Sequence, residues 1–476
     1  MLTYEDWIEC GNDENKKIDF ILRAIGEHKR SKAYLKAVEA QKYYDGENPT
    51  IMNYEKILYD MAGKAHIDMW SANHKIASQF FSMAVNQEVA YLLGNGVRFG
   101  KDQTKEKLGK KFDLRVMRAA LYARIGGQSF GFWNMDHVDV FRFQEFVPIR
   151  GAEDGLLKLG IRWWQIDTTK PMRVTLYEID GKTEYIQRQS DKMEVYAKKE
   201  PYKMNVSRTD AEGDISAEGE NYDGFPIVPM YGNEQHQSSL TGKRNTIDAL
   251  DLANSNMVNN VDEGNLIYWV LTNCGGMDDL DDAKFIEQLK TTHVTHADGD
   301  AGAKAEAHSI EAPFQGTSVT IEKLESRLYK DFQAFNPDSV SQSNQSATAI
   351  KASYIPLDLK CDIVIEPQVT EFILNILKLA GIDDEPSYQR NQIVNKQEET
   401  QTIVMQAEYF DDEYITKKLL SINGDIDMYD ELMKRKDAED AERLKQAEKR
   451  LKELEAEKAA NAAQGGVQIP EEGAAE

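Results

Sequence analysis

The sequence predicts an α+β chain, mainly helical, and elongated rather than spherical. Three observations carry that expectation. Helical spacing of apolar residues dominates both ends of the chain, while a block from Phe130 to about Val206 changes to a period of two. Hydrophobic content is 41% and charged content 29%, which suits a subunit with much helical surface. A polar, almost apolar-free stretch, Asn336 to Ser346, separates two well-patterned helical segments. Ser, Gln and Asn gain little by leaving water, so this stretch reads as a hydrated loop carried on a firm frame.

In chain order, 13–40 reads as helix, with Ile18, Ile21, Leu22 and Ile25 on one face. A second helical segment carries Tyr34, Leu35 and Val38 and ends at YYDGENP, Tyr43 to Pro49. Asn73 to Leu93 reads as one helix capped by Asn73 and stopped by Gly94 and Gly96. Residues 112–125 are helical until Gly126 and Gly127. In the period-two block, Ile161 and Trp163, then Val174 and Leu176, alternate with their neighbours, and Asp180-Gly181 marks a hairpin. Ser207 to Asn221 is acidic and polar and is expected to be a surface loop.

FPIVPMYGNE, Phe225 to Glu234, reads as a short strand. A helix from Thr246 follows, with Ile247, Leu250, Ala253, Met257 and Val261 as a narrow apolar stripe. Asp248, Asp251, Asn254, Asn259, Asn260 and Asp262 make its other faces polar, as expected of a bundle wall or an interface between subunits of a ring. A small mixed segment runs from Ile267 to Phe314, with strands at LIYWVL, VTHA and AHSI and a helix at DDAKFIEQLK. Helix returns from Val319 to Phe335. Beyond the polar loop, 347–380 reads as a long helix that Pro356 and Pro367 should bend or break. Helices are expected at Lys396–Ala407 and Asp411–Ile422. A charged helix follows at 425–460, with Leu444, Ala447, Leu451 and Leu454 on a short heptad seam, and then a disordered tail.

The net charge of −24 and pI near 4.9 argue against tight, sequence-independent DNA binding, which needs Lys and Arg to neutralise phosphates. They leave open a protein that DNA slides past without sticking. Cys10, Cys274 and Cys361 are too scattered for a metal site or a disulfide framework, which points to a reducing compartment. Neither a signal peptide nor a membrane span is expected. Catalytic constellations are scarce. His296, Asp298 and Asp300 lie close together but lack the acidic residue an EF-hand loop requires, and GNGVRFG lacks a phosphate-loop lysine. The expectation is a protein with no enzymatic activity, no metal and no cofactor.

Four stretches carry a resemblance. NHKIASQFFSMAVNQEVAYLLGNGVRF, from Asn73, follows YYDGENP. FPIVPMYGNE precedes the polar-faced helix, and LYKDFQAF leads through the polar loop into IKASYIPLDLK. In this order they resemble the portal proteins of tailed bacteriophages, in particular long-tailed phages of Gram-positive bacteria. The resemblance covers roughly 40–420. It implies an elongated portal-type subunit with wing, stem, clip and crown parts. The placement would be 1–238 for the N-terminal wing region, 239–265 for the first stem helix, 266–316 for a mixed α/β clip and 317–335 for the second stem helix. The tunnel loop would be 336–346, the bent wing helix 347–380, a helical crown 381–425, and a charged helix and tail 426–476.

The resemblance further implies a ring of twelve copies at one capsid vertex, with double-stranded DNA passing through it during packaging and ejection. Its partners would be the terminase packaging motor, a head-tail adaptor protein, and capsid and scaffolding proteins, with no membrane. Asp338, Ser339, Ser341, Gln342, Ser343, Asn344, Gln345 and Ser346 would line the tunnel. Lys330, Lys351 and Lys360 would touch DNA transiently, or else be solvated or form salt bridges between subunits. A virion scaffold or adaptor with no conduit role is the alternative.

Overall fold

The computed structural model describes residues 2–59, 63–69, 71–188, 192–208, 215–264, 267–272, 304–309, 314–339, 347–390, 396–423 and 425–464. It is a mixed α+β chain with more helix than strand. Two compact units divide it: a larger one formed by 1–343 and 352–392, and a smaller one formed by 344–351 and 393–476.

The larger unit opens with α1 (Tyr4–Glu9), α2 (Glu14–Arg30), α3 (Lys32–Tyr44) and α4 (Pro49–Met52). Asp13 caps α2 by accepting from the amides of Asn15 and Lys16, and Ser31 caps α3 through the amide of Tyr34. A ribbon of β1 (Ile57–Tyr59) and β2 (Ala65–Ile67) follows, then α5 (Phe80–Leu93), β3 (Val97–Phe99), α6 (Asp102–Lys107) and α7 (Phe112–Gly126). Gly127 ends α7 at φ 89, and a Cβ there would meet the carbonyl oxygen of His236 at 2.6 Å, so only glycine fits.

The strands of the period-two block come next: β4 (Gln128–Asn134), β5 (His137–Arg142), β6 (Phe146–Arg150), β7 (Leu157–Trp164), β8 (Met172–Glu178), β9 (Gly181–Gln187) and β10 (Glu194–Glu200). They are followed by β11 (Lys203–Arg208), β12 (Ile215–Glu220) and β13 (Ile227–Tyr231). Strands β6 to β10 form a five-stranded antiparallel meander in chain order, and β13–β4–β5 a three-stranded sheet. Glu178 pairs with Gly181, so the expected hairpin forms with Ile179 and Asp180 as its turn, one residue earlier than Asp180-Gly181. Phe20, Ile21, Ala24 and Ile25 of α2 pack with Ile161, Trp163, Val174 and Leu176 of this meander, joining the period of 3.6 to the period of two. The expected acidic loop at 207–221 is a correction: 215–220 form β12, paired with β11. Its base is fixed by Tyr202, whose amide donates to Asn221 Oδ1 at 3.1 Å and whose hydroxyl donates to the carbonyl of Gly181 at 2.9 Å. Backbone pairing needs no apolar alternation, which is why the composition misled.

Helices α8 (Arg244–Gly264) and α9 (Phe314–Phe332) pack against each other. Between them the described strands are β14 (Ile267–Thr272) and β15 (Lys304–Ser309), an antiparallel pair. The expected helix at DDAKFIEQLK, the strand at VTHA and the His296, Asp298 and Asp300 group lie outside the described residues. Ile247, Leu250, Leu328 and Phe332 share a core with Phe80, Phe81, Ala84 and Val85 of α5.

The long helix at 347–380 is α10 (Ala347–Lys360), a π turn at Cys361–Ile365, and α11 (Glu366–Ala380). Pro356 stays inside α10. The irregularity comes just before Pro367, in the turn its ring would crowd. Phe372 of α11 lies over Gly131 of β4, where a Cβ would approach its ring to 2.5 Å. After Gly381 the chain adds β16 (Pro386–Tyr388), paired with β3. The segment expected as a helical crown therefore also holds a short strand.

The smaller unit contains α12 (Lys396–Gln406), α13 (Asp412–Asn423) and α14 (Tyr429–Gln464). α14 runs beyond the expected end at 460, and Leu444, Leu451 and Leu454 on its seam are exposed.

Candidate functional site

The polar loop begins where α9 ends, and its first residues are described: Pro337–Ser339 form a 3-10 turn, with the Asp338 amide donating to Asn336 Oδ1 at 3.0 Å. Asp338 is exposed. Ser341, Gln342, Ser343, Asn344, Gln345 and Ser346 lie outside the described residues.

What the structure defines sharply is the base of this loop. Gln87 on α5 grips Phe335 by both backbone groups, its amide nitrogen donating to the carbonyl at 2.9 Å and its oxygen accepting from the N–H at 2.9 Å. The Phe335 ring stacks on Tyr354 of α10 at 4.2 Å, and Tyr354 stacks on Tyr91 of α5 at 5.7 Å. Tyr91 donates its hydroxyl to Asp358 at 2.6 Å. One turn of α5 thus positions both the entry to the loop and the helix beyond it.

Beside Gln87 stands Glu88, fully buried. Arg124 of α7 donates to its Oε2 from Nε at 2.9 Å and approaches it from Nη2 at 2.7 Å, while Nη1 donates to the carbonyl of Gly232. Lys360, 7% exposed, donates from Nζ to Glu88 Oε1 and to the carbonyl of Phe332, the last residue of α9. The Phe332 ring lies near two ammonium groups, Lys243 at 5.0 Å and Lys360 at 5.8 Å. Burial works against the charged form of Glu88, but Arg124 and Lys360 outweigh it and hold its carboxyl below the usual range. For Lys360 burial is the larger effect, opposed by Glu88, and it pushes the ammonium down to about 8.

Lys360 was expected to touch DNA transiently, or else to be solvated or paired between subunits; the structure instead pairs it with Glu88 of its own chain. Its ammonium is consumed inside the subunit, and moving it outward would leave Glu88 facing a single cation. Lys330 and Lys351 are both exposed. The bent helix is clasped by Arg390, which donates to Asp358 Oδ1 at 3.1 Å, to Glu366 Oε2 at 2.7 Å and to Asp362. These three carboxylates come from α10, α11 and the π turn between them.

A second correction concerns the segment that lies on the polar faces of α8. Residues 71–79 are not helical, and α5 begins at Phe80. The segment instead lies extended along α8, where the amides of Ser78, Ile76 and His74 donate to Asp251 Oδ1 (3.0 Å), Ser255 Oγ (3.0 Å) and Asn259 Oδ1 (2.7 Å). The spacing explains the fit. Four helical residues rise about 6 Å, and two extended residues span about 6.6 Å. Asp248 accepts from the Tyr43 hydroxyl at 2.6 Å and from Asn48 at 3.0 Å, and Asp262 pairs with His74. Of the polar residues expected on a bundle wall or a ring interface, Asp251 and Asn259 thus bind this chain's own backbone, and Asp248 and Asp262 its side chains, as a wall packed within the subunit does.

Sequence reading missed Gln87, Glu88, Arg124 and Arg390. One signal was available: a carboxylate within FFSMAVNQEVAYLL, one helical turn from the buried Ala84 and Leu92. Among the described residues no group of acidic, His or Cys side chains could hold a metal ion, and no helix is long and apolar enough to cross a membrane.

Comparison with known proteins agrees with the resemblance. The family described as "Phage portal protein, SPP1 Gp6-like" matches residues 23–142 and 172–458. The portal protein of Clostridium phage phiCD119 is 23% identical over 364 residues, covering 69% of this chain and 77% of that protein. The portal protein of Bacillus phage SPP1 is 24% identical over 362 residues, covering 72% of this chain and 68% of that protein. A chain from a structure described as the neck of a native GTA particle, computed with C12 symmetry, aligns at TM-score 0.43. The identity there is 10%, over 71% of this chain and 89% of that one. The matched ranges take in α5, Arg124, both packed helices α8 and α9, the polar loop and the bent helix. The chain belongs to the SPP1 Gp6-like family of phage portal proteins.

Proposed function

We propose that this chain assembles as a ring of twelve copies at one vertex of a phage capsid and conducts double-stranded DNA during packaging and ejection. The observation that supports this most directly is the contrast at the loop. Its base is fixed by Gln87, Phe335, Tyr354 and the Glu88–Lys360 pair, while 336–346 holds almost no apolar side chain. A conduit works by offering DNA little to hold, and a hydrated loop on a rigid mount does that. The net charge of −24 per copy favours release of phosphate over retention. No step of this function requires an active site.

On this reading the wing is 1–238 with 347–380, the stem is 239–265 and 317–335, and the crown is 381–425. The clip, 266–316, docks the terminase motor and later the head-tail adaptor. Ser341 to Ser346 line the tunnel together with Asp338 and Ser339. Lys330 and Lys351 remain as transient phosphate contacts. Negative-stain images of the purified protein test the proposal, with rings around a central channel as the expected result. Monomers, or assemblies with no channel, would overturn it. Within a ring, Lys330→Gln with Lys351→Gln should slow DNA packaging, and an unchanged packaging rate would remove both lysines from the conduit.

A further inference from the structure

The ribbon β1–β2 is the most unusual surface of the larger unit. Its two strands pair with each other and, among the described residues, with no third strand. All six strand residues are exposed, and the apolar ones point both ways. Ile57, Leu58 and Ile67 are more than half exposed or close to it, Tyr59 is 70% exposed and Met69 88%. A free two-stranded ribbon is marginal in water, and one that displays apolar groups on both faces loses most by staying there.

The root of the ribbon, by contrast, is tied down. Asp68 is buried, its N–H donates to the Lys56 carbonyl at 2.8 Å and its Oδ1 accepts from the Ser71 amide at 3.0 Å, closing the ribbon's neck. Lys75 donates to the Met52 carbonyl at 2.7 Å. From there 74–78 runs along α8 on Asn259, Ser255 and Asp251. A firmly mounted root under an uncovered apolar ribbon is the arrangement of a docking arm.

Resting on the ring reading above, we propose that this ribbon is an arm that docks on α8 of a second copy of this chain, over Val258 and Val261. Ring geometry selects that occupant and that place. In a rotationally symmetric ring each contact is heterologous, so a donor patch on one copy meets a different acceptor patch on the next. Rotation about the axis conserves height, so donor and acceptor must lie at one level. The segment that leaves the ribbon's neck at Asp68 meets Asn259 and Asp262 through His74, and the exposed Val258 and Val261 adjoin those two residues on α8. A three-residue strand reaches only about 10 Å, which keeps the arm near the height of its root. Five large side chains offer on the order of 500 Å², a large share of the roughly 800 Å² that each partner contributes to a standard interface. Closing the ring covers every arm and fills every acceptor.

Two measurements on the full chain test this. Leu58→Cys and Val261→Cys variants, co-expressed and treated with a short bismaleimide, should give a covalent dimer absent from either variant alone. Separately, Leu58→Ser combined with Tyr59→Ser and Ile67→Ser should raise the concentration needed for ring assembly at least tenfold, with circular dichroism and melting unchanged because all three side chains are exposed. A wild-type ring that tolerates the triple substitution and yields no mixed dimer overturns the arm alone. A wild-type chain that stays monomeric at every concentration overturns the ring and the arm together.

Discussion

Two regions of the larger unit share apolar packing but differ in how much buried polar bonding is added to it. Where α2 meets the five-stranded meander, the contacts are apolar: Phe20, Ile21 and Ile25 against Ile161, Trp163, Val174 and Leu176. Where α5, α7, α8 and the 347–380 helix meet, an apolar core of Phe80, Phe81, Ile247 and Leu250 is joined by polar contacts that are long in range. Glu88 answers Arg124 and Lys360, Gln87 answers Phe335, and Asp251, Ser255 and Asn259 answer an extended segment. An apolar joint is graded and forgiving, because dispersion and burial change gradually with volume. A buried polar joint is close to all-or-none, since removing one partner strands the other in a poor solvent. The rigid mount of the loop uses the second kind, which fixes direction as well as distance.

That contrast is open to test by substitution. Glu88→Gln should be the most damaging, costing about 3–5 kcal/mol because it leaves Arg124 and Lys360 buried without a counter-charge. Denaturant unfolding of the ring-free chain would measure it. The same carboxylate gives a pH signature. Its folded value lies below the ordinary 4.5, so its contribution is complete above that value and is lost as pH falls through the depressed one. The wild type should lose stability over that acid range, and Glu88→Gln should lose less.

Asn259→Ala comes next, at about 1–3 kcal/mol, since the His74 amide loses its acceptor. Hydrogen exchange should show faster exchange at His74 with little change in the meander; uniform change across both would argue against a separate polar zipper. Ile21→Val, in the apolar joint, should cost only about 0.5–1.5 kcal/mol despite a fully buried site. If it costs as much as Glu88→Gln, the distinction between the two joints fails.

The two joints also differ in how much of them could be read beforehand. The α2–meander core was legible because each side carries its own period, 3.6 on the helix and two on the strands, and period reports the buried face without knowledge of the partner. The hairpin around Asp180-Gly181 and the glycine stop after α7 were legible for the same local reason. The extended segment 71–79 was not. Its sequence continues the helical spacing of α5, and only the acceptors on α8, contributed from 251–259, make the extended form the better bonded one.

Lys360 shows the same limit in one residue. Next to a polar loop, a lysine reads as a hand held out to phosphate, and nothing within ten positions says otherwise. Glu88, 272 residues away, turns it inward. The sequence by itself determined the helices, the meander, the polar character of 336–346 and the family likeness, because each is written in local spacing or local order. The tertiary structure decided which polar groups are spent inside the subunit and which are left to face outward. Charge and hydrogen-bonding capacity are visible in a sequence, but whether they are already satisfied depends on partners that only folding brings near.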